Sequence, residues 1–282
     1  MSQTFFIYPM NQELELEAGK TYQAAVNISN PADAEENFSY TVSVAPYSVM
    51  ENGNEADLVT KSTASQIVDW ITIEKPTGTL RPNESRAVYF TITVPTDAPG
   101  GGQYAAILVS SDQVAEVNEG LNINDTFEMA SIVYATVSGE TKHSGEVLSN
   151  NIPGFVTNGA PVLSAYIVNN GNVHEKAKVM ISAKNVFTGE DVMTVSEGKN
   201  VFNEIVMPGT SRYVEREIKE LPALGVFEVS QTVSYLGENS LNTATVIMCP
   251  IWFLLLVIAT VGVIVGTIAG LIVRRKNRIE IF

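Results

Sequence analysis

Only two residues of the chain carry an imidazole, His143 and His174, and imidazole is the side chain best matched to moving a proton near neutral pH. By sequence the two sit in different domains. Neither belongs to a His-Glu-x-x-His helix, and the chain has no Gly-x-Ser-x-Gly elbow and no Gly-rich phosphate loop with a lysine. Each histidine therefore reads as a solvated loop residue. No catalytic residue is assigned, and the chain is not read as an enzyme. The segment from Asn118 to Glu128 offers Asn122, Asn124, Asp125 and Glu128, hard oxygen donors of the kind calcium takes. It lacks the Asp-x-Asp-x-Asp-Gly register, so it reads as a solvated loop, and no metal or cofactor is expected. The single cysteine, Cys249, has no partner for an internal disulfide and reads as a thiol at the edge of an apolar run.

That run, Ile251 to Val273, has 23 residues and no charge, and it is followed by Arg274, Arg275, Lys276 and Arg278. As a helix rising about 1.5 Å per residue it covers about 34 Å, enough for a hydrocarbon core of about 30 Å. The positive-inside rule places these four cations, the topology determinants, in the cytoplasm and everything before the span outside. The expectation is a single-pass cell-membrane protein with extracellular N-terminal domains and a short basic cytoplasmic tail. Within the span, Gly262, Gly266 and Gly270 are spaced by four and share one helical face, a helix-packing surface on which a homodimer can form. The opening MSQTFFIYPM has neither a basic n-region nor an apolar core. The expectation is that a signal peptide has been removed. The alternative is a tail-anchored cytosolic adaptor, and a third reading is an accessory subunit of a larger membrane complex.

The chain carries a net charge of −14, and the part before the span has 13 cations against 30 anions, a net −17. So acidic a surface is repelled by phosphate backbones, which excludes nucleic acid as a partner. About 246 residues can bury two ordinary cores without disulfide staples. A disulfide-free exterior of this size fits a bacterial cell envelope.

Before the span, apolar residues alternate with a period of two in a succession of short runs: Tyr22 to Ile28, Phe38 to Val44, Ile67 to Ile73, Ala87 to Val94, Tyr104 to Val109 and Met129 to Val137. Turn-rich stretches separate them, the pattern of an antiparallel sandwich. The predicted core draws on Val26, Ile28, Val42, Val44, Trp70, Ile71, Val88, Phe90, Ile92, Ile107 and Val109. After residues 138–145 the landmarks recur in the same order. Strand AAVNISN at 24–30 matches AYIVNNGN at 165–172. Pro82-Asn83-Glu84-Ser85-Arg86 matches Pro208-Gly209-Thr210-Ser211-Arg212, and Gly102-Gln103-Tyr104 matches Gly225-Val226-Phe227. The intervals Pro82 to Tyr104 and Pro208 to Phe227 are 22 and 19 residues. The fold expected is all-β: two tandem immunoglobulin-like β-sandwiches followed by one C-terminal transmembrane α-helix. The divisions are 1–137, a linker at 138–145, 146–246, the helix at 247–273 and the tail at 274–282. Gly-x-aromatic at a late strand resembles the tyrosine corner, in which Tyr104 would cap nearby backbone while Phe227 would keep only the packing.

Several of these pieces together resemble the WxL-interacting proteins, cell-surface proteins of Gram-positive bacteria. They are the Phe5-to-Pro9 opening with Gln12, the Asn-ended early strand, Leu80 to Arg86, Ile92-Thr93-Val94-Pro95, the Gly-rich turn into Tyr104, Asn169-Asn170-Gly171-Asn172, and the span with its basic end. The Gly-rich turn departs from the family pattern, and Trp252-Phe253-Leu254 spells the motif letters only inside the span. The resemblance implies a first sandwich that binds peptidoglycan, a second that binds host or matrix proteins, and a WxL-domain protein as partner. The expected function is thus adhesion or envelope binding at the cell surface, without catalysis.

Overall fold

The computed structural model describes residues 5–50, 55–115, 123–196 and 199–279, with side chains for all of these except 112–115, 123–127 and 273–279. The first sandwich is built from β1 (Phe6–Tyr8), β2 (Asn11–Leu16), β3 (Thr21–Ser29), β4 (Phe38–Pro46), a small β5 (Ser48–Val49) and β6 (Ala56–Asp57) ribbon, β7 (Ile71–Ile73), β8 (Thr77–Leu80), β9 (Ser85–Thr93), β10 (Gly101–Ala115) and β11 (Ile123–Val137). One sheet has the order β1-β3-β9-β7 and the other β2-β11-β10-β4-β8. Taken in chain order, β1, β3, β4, β7, β9, β10 and β11 reproduce the A-B-E-D and C-F-G sheets of an immunoglobulin-like domain. To these, β2 adds a parallel partner for β11, and β8 an antiparallel partner for β4.

Alternation explains the sheets. Val26 and Ile28 on β3, Val88, Phe90 and Ile92 on β9, Val42 on β4, Ile107 and Val109 on β10 and Val133 to Val137 on β11 send every second side chain into one core. Val44 is only partly buried against it. Phe5 and Phe38, absent from the predicted core, are fully buried and stack with centroids 4.5 Å apart. Each such side chain contributes about 1.5–3 kcal/mol on burial. The run predicted as a strand over 67–73 is a strand only at β7. Thr63–Trp70 forms a 3₁₀ turn, opened by a capping box between Ser62 and Ser65. Buried Gln103 holds the turn from below, donating to the Thr63 carbonyl at 2.9 Å and accepting the Ile67 N–H at 3.2 Å. Trp70 still packs in the core, delivered by a turn instead of a strand.

The second sandwich comprises β12 (Gly145–Asn151), β13 (Phe155–Val156), β14 (Val162–Asn169), β15 (Glu175–Asn185), β16 (Asp191–Met193), β17 (Val201–Val206), β18 (Ser211–Glu217), β19 (Gly225–Tyr235) and β20 (Glu238–Met248), and α1 (Ile251–Ile279) follows. Its sheets, β12-β14-β18 and β13-β20-β19-β15-β16 with β17 also on β15, repeat the A-B-E and G-F-C plan, again with a parallel strand, β13, beside the last one. The β19–β20 hairpin turns on Leu236 and Gly237, both at positive φ, as a two-residue hairpin turn requires.

The recurring sequence landmarks fall on equivalent strands, β3 with β14, β9 with β18 and β10 with β19, and the hydrogen bonds show why they recur. Arg81-Pro82-Asn83-Glu84 and Met207-Pro208-Gly209-Thr210 each close from the fourth N–H to the first carbonyl, at 3.0 and 3.3 Å. Proline at the second place and φ of 63° at Asn83 or 68° at Gly209 make both type II turns. The asparagine ending the B-position strand then locks each turn. Asn30 donates through Nδ2 to the Leu80 carbonyl at 3.3 Å and Asn169 to the Val206 carbonyl at 2.9 Å, each two residues before the proline. Their backbone N–H groups reach Glu84 and Thr210. Both side chains are buried.

The chain divides into two compact units. One holds residues 1–146 with 167–176 and 205–213; the other holds 147–166, 177–204 and 214–282. Residues 167–176, though part of the second sequence repeat, therefore belong to the first unit. Within that unit Asn172 binds on three sides. Its Oδ1 accepts the Lys142 N–H at 2.6 Å, its Nδ2 donates to the Glu140 carbonyl at 2.8 Å, and its own carbonyl accepts the Gly102 N–H at 2.8 Å. A Cβ on Gly171 would stand 2.2 Å from the Lys142 carbonyl oxygen, so the Asn-Gly-Asn sequence is set by close backbone approach.

Candidate functional site

Strand β2 reads Asn-Gln-Glu-Leu-Glu-Leu: Leu14 and Leu16 face the core, while Glu13 and Glu15 stand outward and exposed. Their register partners on β11 are Tyr134 and Thr136, which therefore share that outer face. Together with Ser138, Thr141, His143, Val173 and His174 they line a cleft of about 740 Å³ in the first unit. The two histidines, expected in separate domains, line the same cleft. The correction has a simple cause: residues 167–176 fold onto the first unit.

The floor of the cleft is aromatic. Tyr104 lies opposite Tyr134 in the β10–β11 register, and both are buried with Met207. The Tyr134 ring meets Tyr104 edge-on at 6.0 Å, Tyr47 edge-on at 5.8 Å and the His174 ring, tilted, at 5.2 Å. Tyr104 is not a tyrosine corner. Its hydroxyl accepts the His174 backbone N–H at 2.8 Å, 70 residues away, and lies 3.3 Å from His174 Nδ1. With one lone pair so used, the hydroxyl can donate to Nδ1 of a neutral ring. The Gly-x-aromatic pattern has a different origin. The Tyr104 ring folds back over Gly102, where a Cβ would stand 1.9 Å from the hydroxyl, and Phe227 folds over Gly225 in the same way.

Burial raises the pKa of both tyrosines; for Tyr104 the His174 N–H opposes that shift, and for Tyr134 the Tyr47 hydroxyl adds to it. Burial pushes His174 below the ordinary imidazole value, and Lys176 pushes the same way, against the raising influence of Glu13, Glu175 and Glu15. His174 is thus a half-buried, neutral ring and not a solvated loop residue. At the rim, Lys176 pairs with Glu13 at 2.6 Å and His143 Nδ1 with Glu175 at 2.5 Å. The cleft therefore presents carboxylates and hydroxyls, groups that accept hydrogen bonds from hydroxyl, amide or ammonium donors on a ligand, beside the Tyr134 ring. No group of metal-binding side chains occurs among the described residues.

The structure places the sequence-derived residues as follows. Gly262, Gly266 and Gly270 lie on α1, and a Cβ at any of them would meet nothing within 4 Å. The helix Ile251–Ile272 is long and apolar enough to cross a membrane, and the apolar window within it holds no buried residue. Arg274, Arg275, Lys276 and Arg278 continue α1; their side chains lie outside those described. The oxygen-donor segment, expected as a loop, is strand from residue 123 onward, where it pairs with β10 as the start of β11; Glu128 is exposed there, while residue Asn122 and the side chains of Asn124 and Asp125 lie outside the described residues. Cys249 has a free thiol between β20 and α1. Sequence reasoning missed Glu13, Glu15, Tyr134 and Thr136, although the strict Glu-Leu-Glu-Leu alternation of β2 marks an outward acidic row.

No protein-family model matches the chain, and no match is found among curated proteins. Solved structures do match. The class 5 fimbriae chaperone CfaA is 13% identical, with 86% of this chain and 99% of that one covered at a TM-score of 0.41. A chain of the CsuC–CsuE chaperone and tip adhesion subunit complex of Acinetobacter baumannii is 14% identical over 86% and 98%, at 0.38. The periplasmic chaperone SfaE is 8% identical over 86% and 99%, at 0.40.

Proposed function

We propose that the chain is a membrane-anchored, non-enzymatic binding protein of a bacterial cell surface, with both sandwiches outside and the basic end of α1 in the cytoplasm. The observation that carries this reading is α1: an apolar helix long enough to span, beginning three residues after the end of the last strand. The cleft of the first unit supplies the binding chemistry. Its carboxylates and hydroxyls suit a ligand rich in hydroxyl and amide donors, and its acidity disfavours anionic polymers. Peptidoglycan fits that description, as the resemblance to WxL-interacting proteins implies; extracellular host or matrix proteins and a WxL-domain protein are the further partners it suggests. The glycine face of α1 adds a route to self-association.

The test uses the full chain in detergent micelles, mixed with purified peptidoglycan and, separately, with solubilised envelope proteins. Co-sedimentation with peptidoglycan that Glu15→Gln with Tyr134→Ala weakens supports the proposal. Capture of an envelope membrane protein, with no affinity for peptidoglycan, would favour an accessory subunit. Cys249 reports topology, because a membrane-impermeant maleimide reaches it from outside intact cells only if the sandwiches are external; labelling only after lysis would mean a tail-anchored adaptor.

A further inference from the structure

The end of the second sandwich from which α1 departs carries exposed apolar side chains on separate loops and strand ends. Phe187 is 80% exposed, Phe155 52%, Val186 47%, Leu224 45% and Ile247 41%. Strand register puts them at one end. Asn185 on β15 pairs with Phe227, which pairs with Val246 on β20; Gly225, next to Leu224, pairs with Met248; and the Ile247 N–H donates to the Gly154 carbonyl beside Phe155. From Met248 to Ile251 the chain is at most about 11 Å long. This end of the sandwich is therefore held within a few residues of the point where α1 would enter a bilayer.

The Phe187 loop is also built to display its tip. Asn185 Oδ1 accepts the N–H groups of Phe187 and Thr188 at 2.9 and 3.1 Å, its carbonyl accepts the Gly189 N–H, and the Val186 N–H is tied to the Val226 carbonyl. One residue back along the strands, Lys184 and Glu228 pair at 2.7 Å, a polar collar above the apolar tip. At the other side of the junction Trp252, 63% exposed and in edge contact with Phe253, opens α1 with the residue type that favours the headgroup level.

We infer that Val186, Phe187, Leu224 and Phe155 enter the headgroup and acyl boundary of the membrane that α1 crosses, so that the second sandwich is seated on the bilayer and not merely tethered to it. An apolar tip under a polar collar is the arrangement of interfacial membrane contacts, and the covalent junction with α1 makes the lipid surface, rather than a protein, the occupant. The inference rests on the reading of α1 as a span.

The test is tryptophan emission from the full chain in vesicles whose acyl chains carry bromine close to the headgroup. The chain has two tryptophans, Trp70 and Trp252. Wild-type protein reports through Trp252 whether α1 is inserted. In a Trp252→Phe parent, Phe187→Trp and Leu224→Trp report the tip, and Leu241→Trp, at an exposed β20 position seven residues before Met248, reports the flank. The expected result is loss of most of the added emission for both tip reporters and none for the flank. Quenching of Trp252 without quenching of the tip overturns the inference while leaving the span intact. Equal quenching of tip and flank also overturns it. Unquenched Trp252 removes the span and the inference together.

Discussion

Replacing Asn169 by alanine removes three hydrogen bonds from a fully buried site: Nδ2 to the Val173 carbonyl at 2.8 Å, Nδ2 to the Val206 carbonyl at 2.9 Å, and the Gly171 N–H to Oδ1 at 2.8 Å. Each such bond is worth about 1 kcal/mol net, and a buried partner left unpaired costs about 1–3 kcal/mol. Partial rescue by water brings the total to about 3–4 kcal/mol. In a unit of this size that lowers Tm by roughly 6–16 °C. The matched change, Asn30→Ala, removes the Nδ2 bonds to the Glu36 and Leu80 carbonyls and should cost at least about 2–3 kcal/mol. Thermal unfolding of the two variants and of Asn169→Asp, isosteric but without the two donors, gives the ranking. The assay is run on the full chain in detergent, following near-ultraviolet circular dichroism. Both alanine variants should lower Tm measurably, and Asn169→Asp should be at least as damaging as Asn169→Ala, since it buries a charge facing two carbonyls. If Asn169→Ala shifts Tm by less than 2 °C, the clamp is not what holds the turn and the reasoning fails.

His174 gives a pH dependence. Its folded pKa lies below its unfolded value of about 6.5, so the unfolded chain binds the extra proton first; stability is full above that value and falls as pH drops below it. Unfolding followed from pH 7.5 down to 5 should show this slope, and His174→Gln should remove it; identical slopes would clear His174 of the effect. Gly102→Ala should displace the Tyr104 ring from its seat and orphan the His174 N–H, destabilising by about 1–3 kcal/mol, whereas Gly159→Ala, with nothing within 4 Å though at positive φ, should cost less in the same denaturant titration. A Cβ at Gly266 meets nothing within 4 Å, so with Gly266→Leu cross-linking of α1 in vesicles should lose its dimer band with little change in Tm; an undiminished band would mean that this face pairs with nothing.

Much of the fold was readable because each sandwich strand has a dry face and a wet one, and alternation such as Val88-Phe90-Ile92 reports that directly. The stretch 67–73 misled because Ile67, Trp70 and Ile71 are apolar at spacings that suit a strand or a tight turn, and the arbiter is Gln103, some 36 residues away. The same distance in sequence hid the cleft. Its polar pairs join residues 70 and 163 positions apart, Tyr104 with His174 and Glu13 with Lys176, and a single sequence carries no sign of such meetings. The asparagines ending β3 and β14 were visible as a repeated pattern, but their purpose lies in carbonyls 50 and 37 residues downstream.

The first unit is discontinuous: it takes back residues 167–176 and 205–213 after the chain has already entered the second. A ribosome delivers sequence in order, at about 5–20 residues per second. Residue 174 comes 28 residues after residue 146 and residue 213 comes 67 after it, roughly 1–6 s and 3–13 s of synthesis at that pace; for the first of these intervals Tyr104 has no His174 N–H and Gly102 no Asn172 carbonyl. The newborn N-terminal sandwich must therefore wait, its aromatic floor uncovered, and the apolar segment that becomes α1 follows within another 40 residues. Closure of the first unit and arrival of the anchor are thus nearly simultaneous events in the life of the nascent chain.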